Sequence, residues 1–185
     1  MRETDRAERF LCDAMLGKLA TYLRMCGYDA AYALDRGVEA DDRLREIAAS
    51  EGRRLLTRDV DLAARTRRGV ASDEPRREAV SRGESTDGDA TATTTDGPPE
   101  PILLETREVE DQLREVQAAG YEVTLAARPA RCGDCNGTVE RVEPSADRPA
   151  YVPDERTDVW RCVDCGRHFW KGGHWDRVAE TLANL

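Results

Sequence analysis

Apolar and polar positions alternate along the chain in two periods. Phe10, Leu11 and Cys12 form a short apolar run that ends at one acid, Asp13. Met15, Leu16, Leu19, Ala20, Leu23 and Met25 then recur at helical spacing, with Lys18, Thr21 and Arg24 on the other side, and Gly27 supplies the stop. Ala30–Leu34 reads as a second short strand, followed by the turn Asp35-Arg36-Gly37. A helix starts at Asp41-Asp42, with Leu44, Ile47 and Ala48 as its inward stripe. Arg53–Thr57 reads as a buried strand that delivers Arg58-Asp59-Val60-Asp61 to the next helix, opened by Leu62 and Ala63. This βα alternation predicts an α/β fold, a parallel sheet with flanking helices.

Between about residues 69 and 100 the large apolar residues nearly vanish, and Ser, Thr, Asp, Gly and Pro take over. Such a stretch buries too little surface to offset its ordering entropy, so it reads as a disordered acidic insertion within a domain. Order resumes with a strand at Pro101–Glu105, a helix from about Glu108 to Ala119 with Val109, Leu113 and Val116 inward, and a last strand at Tyr121–Ala127. The first domain therefore spans 8–127.

Residues 128–185 form a different unit. Cys132-Gly133-Asp134-Cys135 and Cys162-Val163-Asp164-Cys165 are two C-x-x-C knuckles closed by Asn136-Gly137 and Gly166. Val139–Val142 and Asp158–Arg161 are strand-like, and His168-Phe169-Trp170 continues as a hairpin. Four thiolates at this spacing predict a closed structural Zn²⁺ site, a zinc ribbon in which the metal replaces a core. Trp160, Phe169, Trp170 and Trp175 are apolar enough to build that small core, with base stacking as the alternative. Cys12 and Cys26 stand alone among apolar residues and read as small hydrophobes.

Charge narrows the partners. The 185 residues carry a formal charge of -9 with 35% charged residues, which excludes a generally basic nucleic-acid binder. Any polyanion must be met by a local patch or through metal ions. Lys18 and Lys171 are the only lysines, so the cations are almost all Arg. No apolar run is long enough to span a bilayer, and the charged start MRETDRAERF lacks a signal-peptide core, so the expected location is cytoplasmic, with no membrane partner.

Asp13, Asp41 or Asp42, and Asp59 with Asp61 beside it all follow strands or begin helices. On neighbouring parallel strands they would converge on one edge, where clustered carboxylates call for a cation such as Mg²⁺ or Mn²⁺. Attack of activated water on a phosphodiester is the natural reaction of such a site. The alternative is that each Asp caps its own helix. Lys18, Arg24 and Arg58 are candidate phosphate contacts, with a solvated helix face as the rival for the first two, and His174, in a Gly-rich loop beside Trp175, is a candidate contact to RNA or to the first domain.

Asp13-Ala14-Met15-Leu16-Gly17-Lys18-Leu19, Leu23-Arg24, Gly27-Tyr28-Asp29 and Leu55-Leu56-Thr57-Arg58-Asp59 resemble the Mut-seven carboxy-terminal ribonuclease domain family. Gln112–Val116, Arg131–Asn136 and Trp170–His174 also match its pattern. The resemblance implies a PIN-like domain followed by a zinc ribbon, and a metal-dependent RNase whose acids would be Asp13, Asp41 and Asp59. Asp41 is preferred to Asp42 because its distance to Ala48 fits that pattern better. Gly173 departs from the pattern, standing where a Ser is expected, and the long insertion is a second departure. The rival class is a non-catalytic module that binds nucleic acid or protein on a PIN-like scaffold. A toxin-like nuclease with a cognate inhibitor is a third reading. The RNA partner is unspecified, and the oligomeric state stays open, a homodimer included.

Overall fold

The computed structural model describes residues 8–72, 99–143 and 147–185. The acidic insertion expected at 69–100 falls mostly on 73–98, outside the described residues; its first four residues, 69–72, complete a helix.

Four parallel strands form the main sheet: β1 (Arg9–Cys12), β2 (Asp29–Tyr32), β3 (Arg54–Thr57) and β4 (Ile102–Leu103), in the order β2-β1-β3-β4. The helices are α1 (Gly17–Met25), α2 (Asp41–Ser50), α3 (Val60–Ser72) and α4 (Val109–Ala118). Because side chains alternate across a strand, Phe10 and Cys12 face one core with Leu19 and Leu23 of α1 and Leu113 and Val116 of α4. Leu11 faces a second core with Leu44 and Ile47 of α2 and Leu62 of α3. Both faces of the sheet are thus covered, as a parallel sheet requires. The β1–α1–β2 unit winds outward on one side of β1, while the chain leaves β3 through α3 toward β4 on the other. The topological switch point lies between the carboxyl ends of β1 and β3, the crevice where open α/β sheets place ligands.

A second sheet, antiparallel in the order β5-β6-β7, comprises β5 (Val139–Arg141), β6 (Val159–Cys162) and β7 (His168–Trp170). A helix not foreseen in the sequence, α5 (Gly173–Ala183), follows. Its Val178 and Leu182 join the core of α1 and α4, so the tail of the ribbon segment returns to the first sheet. His174 consequently stands in the first turn of a helix rather than in a Gly-rich loop.

The strand expected at Tyr121–Ala127 does not form. In this segment Val123 and Ala126 are buried while Thr124 and Ala127 are exposed, a spacing of three rather than the two of a strand. Its backbone groups go elsewhere: Ala126 N–H donates to Met25 O (3.1 Å), and Glu122 O accepts from the Tyr28 hydroxyl (3.0 Å). The segment packs on the core without pairing.

The amino ends of the strands carry an ionic network. Buried Arg53 donates to Asp29 (2.7 Å) and Glu51 (2.6 Å), and Arg36 donates to Glu51 (2.6 Å). Burial alone would raise the Asp29 carboxyl, but hydrogen bonds from Arg53 and Asn136, with the charges of Arg53 and Arg131, hold it well below the usual carboxylate range. The Arg36 hydrogen bond leads in lowering Glu51 to about 2, against partial burial. Both folded-state values lie below their unfolded ones, so this stabilisation is present above about pH 4 and is lost as pH falls through the folded values. The urea midpoint is expected to drop between roughly pH 5 and 2. The drop should be shallower in Glu51→Gln; equal slopes for parent and variant would remove Glu51 from the account.

Candidate functional site

β1 and β3 end side by side, and their last residues are joined by hydrogen bonds. Asp13 N–H donates to Leu56 O (3.0 Å), and the Thr57 hydroxyl donates to Asp13 Oδ2 (2.7 Å). Asp59 N–H in turn donates to Thr57 Oγ1 (3.0 Å). Thr57, fully buried, therefore ties the two acids to one point on the sheet edge. Asp13 Oδ1 accepts from Ala14 N–H at 2.6 Å, which fixes the carboxylate in its own loop. Asp13 caps nothing: α1 starts four residues later, and its N-cap is Leu16. Asp59 does cap, since its Oδ1 accepts from Leu62 N–H (2.9 Å) in the first turn of α3. That bond uses one carboxylate oxygen of a residue that is itself exposed.

Tyr32, at the end of β2, closes over this edge. Its hydroxyl donates to Ala14 O (2.7 Å), and the ring lies so close to α1 that a Cβ on Gly17 would come within 2.9 Å of it. Glycine is needed at 17 for that contact. Burial first, then the charges of Asp35 and Asp13, raise the Tyr32 phenol, so it stays a hydrogen-bond donor beside two acids. Thr57, Tyr32 and Asp35 were not singled out as site residues from the sequence. A buried Thr two residues before an Asp at a strand end was the available signal for the first.

The other acids sit differently. Asp41 is the first residue of α2, after the N-cap Ala40, and its carboxylate is taken by Arg65 of α3. Asp42 also pairs with Arg65, and with Arg45. Asp61 is exposed in the first turn of α3. Among the described residues, the acids make no group of three ligand atoms within 4.8 Å.

Arg24 corrects the expectation of an exposed phosphate contact. It is 3% exposed, and its guanidinium is fully engaged. Nε donates to Ala30 O (2.8 Å), one terminal nitrogen to Gly133 O and Asp134 O (both 2.9 Å), and the other to Asp35 (2.9 Å). At Arg24, α1 is covered by the first cysteine knuckle rather than by water. Lys18 is exposed in the first turn of α1. Arg58 is half-buried next to the edge, and its Nε is covered and lacks a hydrogen-bond partner. His174 is exposed on α5.

The four sulfurs of Cys132, Cys135, Cys162 and Cys165 lie within 4.8 Å of one another. Sγ separations of 3.7 Å (Cys132–Cys165) and 3.4 Å (Cys135–Cys162) are near the edge of about 3.8 Å of a tetrahedron with Zn–S bonds of about 2.3 Å. Asn136 (φ 68°) and Gly166 (φ 73°) take the left-handed turn after each C-x-x-C pair, the conformation that Asn and Gly tolerate best. Burial pushes the Cys132 thiol up, whereas hydrogen bonds from the backbone and from neighbouring thiols outweigh burial at Cys162 and lower it; a bound cation would favour the thiolate at both. The donor set fits zinc. The knuckle also covers the edge of the main sheet: Ala30 N–H donates to Asn136 Oδ1 (2.9 Å), while Asn136 Nδ2 donates to Asp29 (2.6 Å). The free edge of β2 is thereby blocked.

No helix among the described residues is long and apolar enough to cross a membrane. A family model described as Mut7-C RNAse domain matches residues 8–182. No curated protein and no solved structure matches the chain.

Proposed function

The chain belongs to the Mut7-C RNAse domain family, and from that premise we propose that it is a cytoplasmic, metal-dependent ribonuclease that hydrolyses RNA phosphodiester bonds at the carboxyl ends of β1 and β3. The observation that carries the reading is the Asp13–Thr57–Asp59 chain of hydrogen bonds at the switch point of the sheet. Two carboxylates suit Mg²⁺ or Mn²⁺, which are commonly held by one or two acids together with substrate phosphates. The lack of a third clustered acid among the described residues is therefore no obstacle. Bound there, the ion would offset the charge of the phosphodiester and favour attack by water.

The chain's own residues supply the rest. Asp13, immobilised by Ala14 and Thr57, and exposed Asp59 hold the cation. Arg58, with its unpartnered Nε, and exposed Lys18 offset phosphate charge in an otherwise acidic molecule. Asp41 serves the reading as an interhelical anchor through Arg65 and not as a ligand. Asp61 lies next to the site and is left as an outer acid. Zinc occupies the four-cysteine cluster and holds the knuckle against β2.

Cleavage of single-stranded RNA by the zinc-loaded chain is expected to depend on added Mn²⁺ or Mg²⁺, with essentially none in their absence. Full cleavage by metal-free solutions of purified protein would refute the reading. RNA bound tightly but never cut under any divalent ion would favour the non-catalytic module instead.

A further inference from the structure

The ribbon carries a cleft of about 500 Å³ lined by Tyr151, Cys165, Gly166, Arg167, His168 and Trp170. His168 and Trp170 lie two residues apart on β7 and so point to the same face of that strand. Tyr151 stands edge-on to His168, with ring centroids 6.3 Å apart, and its hydroxyl accepts from His168 N–H at 3.2 Å. Tyr151 is 56% exposed, an unusual state for so large a ring, and His168 and Trp170 are half-buried. His168 Nδ1 is covered and has no hydrogen-bond partner. In a chain of net charge -9, no carboxylate among the described residues lines this cleft, whereas Arg167 does.

Arg167 is ion-paired with Asp134 of the first knuckle. Asp134 also lines a second cleft, of about 300 Å³, with Tyr32 and Asp35 at the end of β2. The two clefts are thus linked through the Arg167–Asp134 pair, and the second reaches Tyr32 at the carboxyl end of β2.

We propose that the Tyr151–His168–Trp170 cleft is a nucleobase-stacking subsite that seats single-stranded RNA on the ribbon and directs it toward the carboxyl edge. The proposal rests on the ribonuclease reading and adds to it the place where bases are held. Aromatic rings accept any base on their π-faces, so the subsite recognises single strands with little sequence preference.

Binding of a single-stranded oligouridylate and of an abasic strand of equal length is measured with the zinc-loaded full chain, without added Mg²⁺ or Mn²⁺. The parent is expected to prefer the oligouridylate. Tyr151→Ala should weaken oligouridylate binding roughly tenfold, from the loss of one base stack, leave the abasic strand unchanged, and be rescued by Tyr151→Phe. Equal affinity of parent and Tyr151→Ala, equal losses on both strands, or no preference of the parent for bases would overturn the proposal. So would a parent that binds no RNA and leaves the surface to a protein. Photo-crosslinking of a 4-thiouridine oligonucleotide to the parent guards against a variant that loses its fold. Adducts on Tyr151 or on 168–170 support the subsite, and adducts elsewhere reject it. Base-dependent binding alongside absent cleavage would sink the nuclease and spare the cleft, whereas cleavage with no Tyr151 effect would do the reverse.

Discussion

Asp13→Asn is expected to reduce RNA cleavage on the order of 100-fold or more, the scale set by removing one group that stabilises transition-state charge. The substitution keeps the shape of the side chain and removes its charge. The single amide oxygen of Asn can accept from the Thr57 hydroxyl or from Ala14 N–H but not from both, so the loop loses one hydrogen bond and stability should fall by about 1 kcal/mol while the sheet edge stands. Asp59→Asn should also abolish most cleavage, with a small stability cost because the Leu62 cap bond survives on the amide oxygen. Thr57→Val separates position from charge. It leaves both carboxylates in place but cuts the link between Asp13 Oδ2 and Asp59 N–H, so kcat should fall while divalent-ion dependence remains. Asp41→Asn provides the contrast. Its carboxylate already belongs to Arg65, so cleavage should stay within a few-fold of the parent while stability falls modestly, by about 0–1 kcal/mol for a half-exposed pair. Cleavage that survives both Asp13→Asn and Asp59→Asn would remove the site from the β1–β3 crevice.

The strands that build this crevice were legible because each is a short apolar run closed by an acid, and the helices because their inward stripes recur at 3.6 residues. Parallel order followed from the βα alternation, and the four cysteines from spacing alone. What the pattern could not convey is what lies on the far side of each element. Arg24 falls outside the apolar stripe of α1, and periodicity assigns such a position to water. In the folded chain a knuckle more than a hundred residues away covers it, and its four hydrogen bonds make it a clamp between α1, β2 and the ribbon. Asp41 has the same history: its place at a helix start was readable, but Arg65 opposite it depends on how α2 packs on α3.

The tail shows a different kind of miss. Trp175, Val178, Leu182 and Leu185 recur at helical spacing, so α5 was available from the sequence. The Gly172-Gly173 pair and the adjoining ribbon led to a loop reading instead. At Tyr121–Ala127 the apolar residues do pack on the core, yet pairing needs a free strand edge as well. The β2 edge is already occupied at Ala30 by Arg24 and Asn136. Side-chain period reports which face is dry, and hydrogen bonding along the backbone is a separate question.

Loss of zinc is expected to be the largest perturbation of stability, and to spread beyond the ribbon. Structural zinc in small finger peptides contributes about 10–16 kcal/mol of apparent binding energy, which is folding energy where no other core exists. Here Val159, Trp160 and Val152 are buried in the ribbon, a set too small to hold three short strands without a staple. Chelation, or Cys132→Ser, should therefore melt the β5–β7 sheet. The damage continues through the knuckle, because Asn136 caps Ala30 and Asp29 while the carbonyls of Gly133 and Asp134 hold the Arg24 guanidinium. Without the knuckle, Arg24 keeps only Ala30 O and Asp35, and the edge of β2 is open to solvent and to other strands. If the net loss is on the order of 5 kcal/mol, the thermal midpoint should fall by roughly 10–20 °C for a chain of this size. Hydrogen exchange gives the sharper test. The Ala30 amide, whose partner is Asn136, should lose protection on zinc removal, while the amides of the central strands β1 and β3 keep theirs. A chain that holds no zinc, yet melts at the same temperature and protects Ala30 equally well, would mean that the cysteines are not the staple and that the knuckle is held by Arg24 and Asn136 alone.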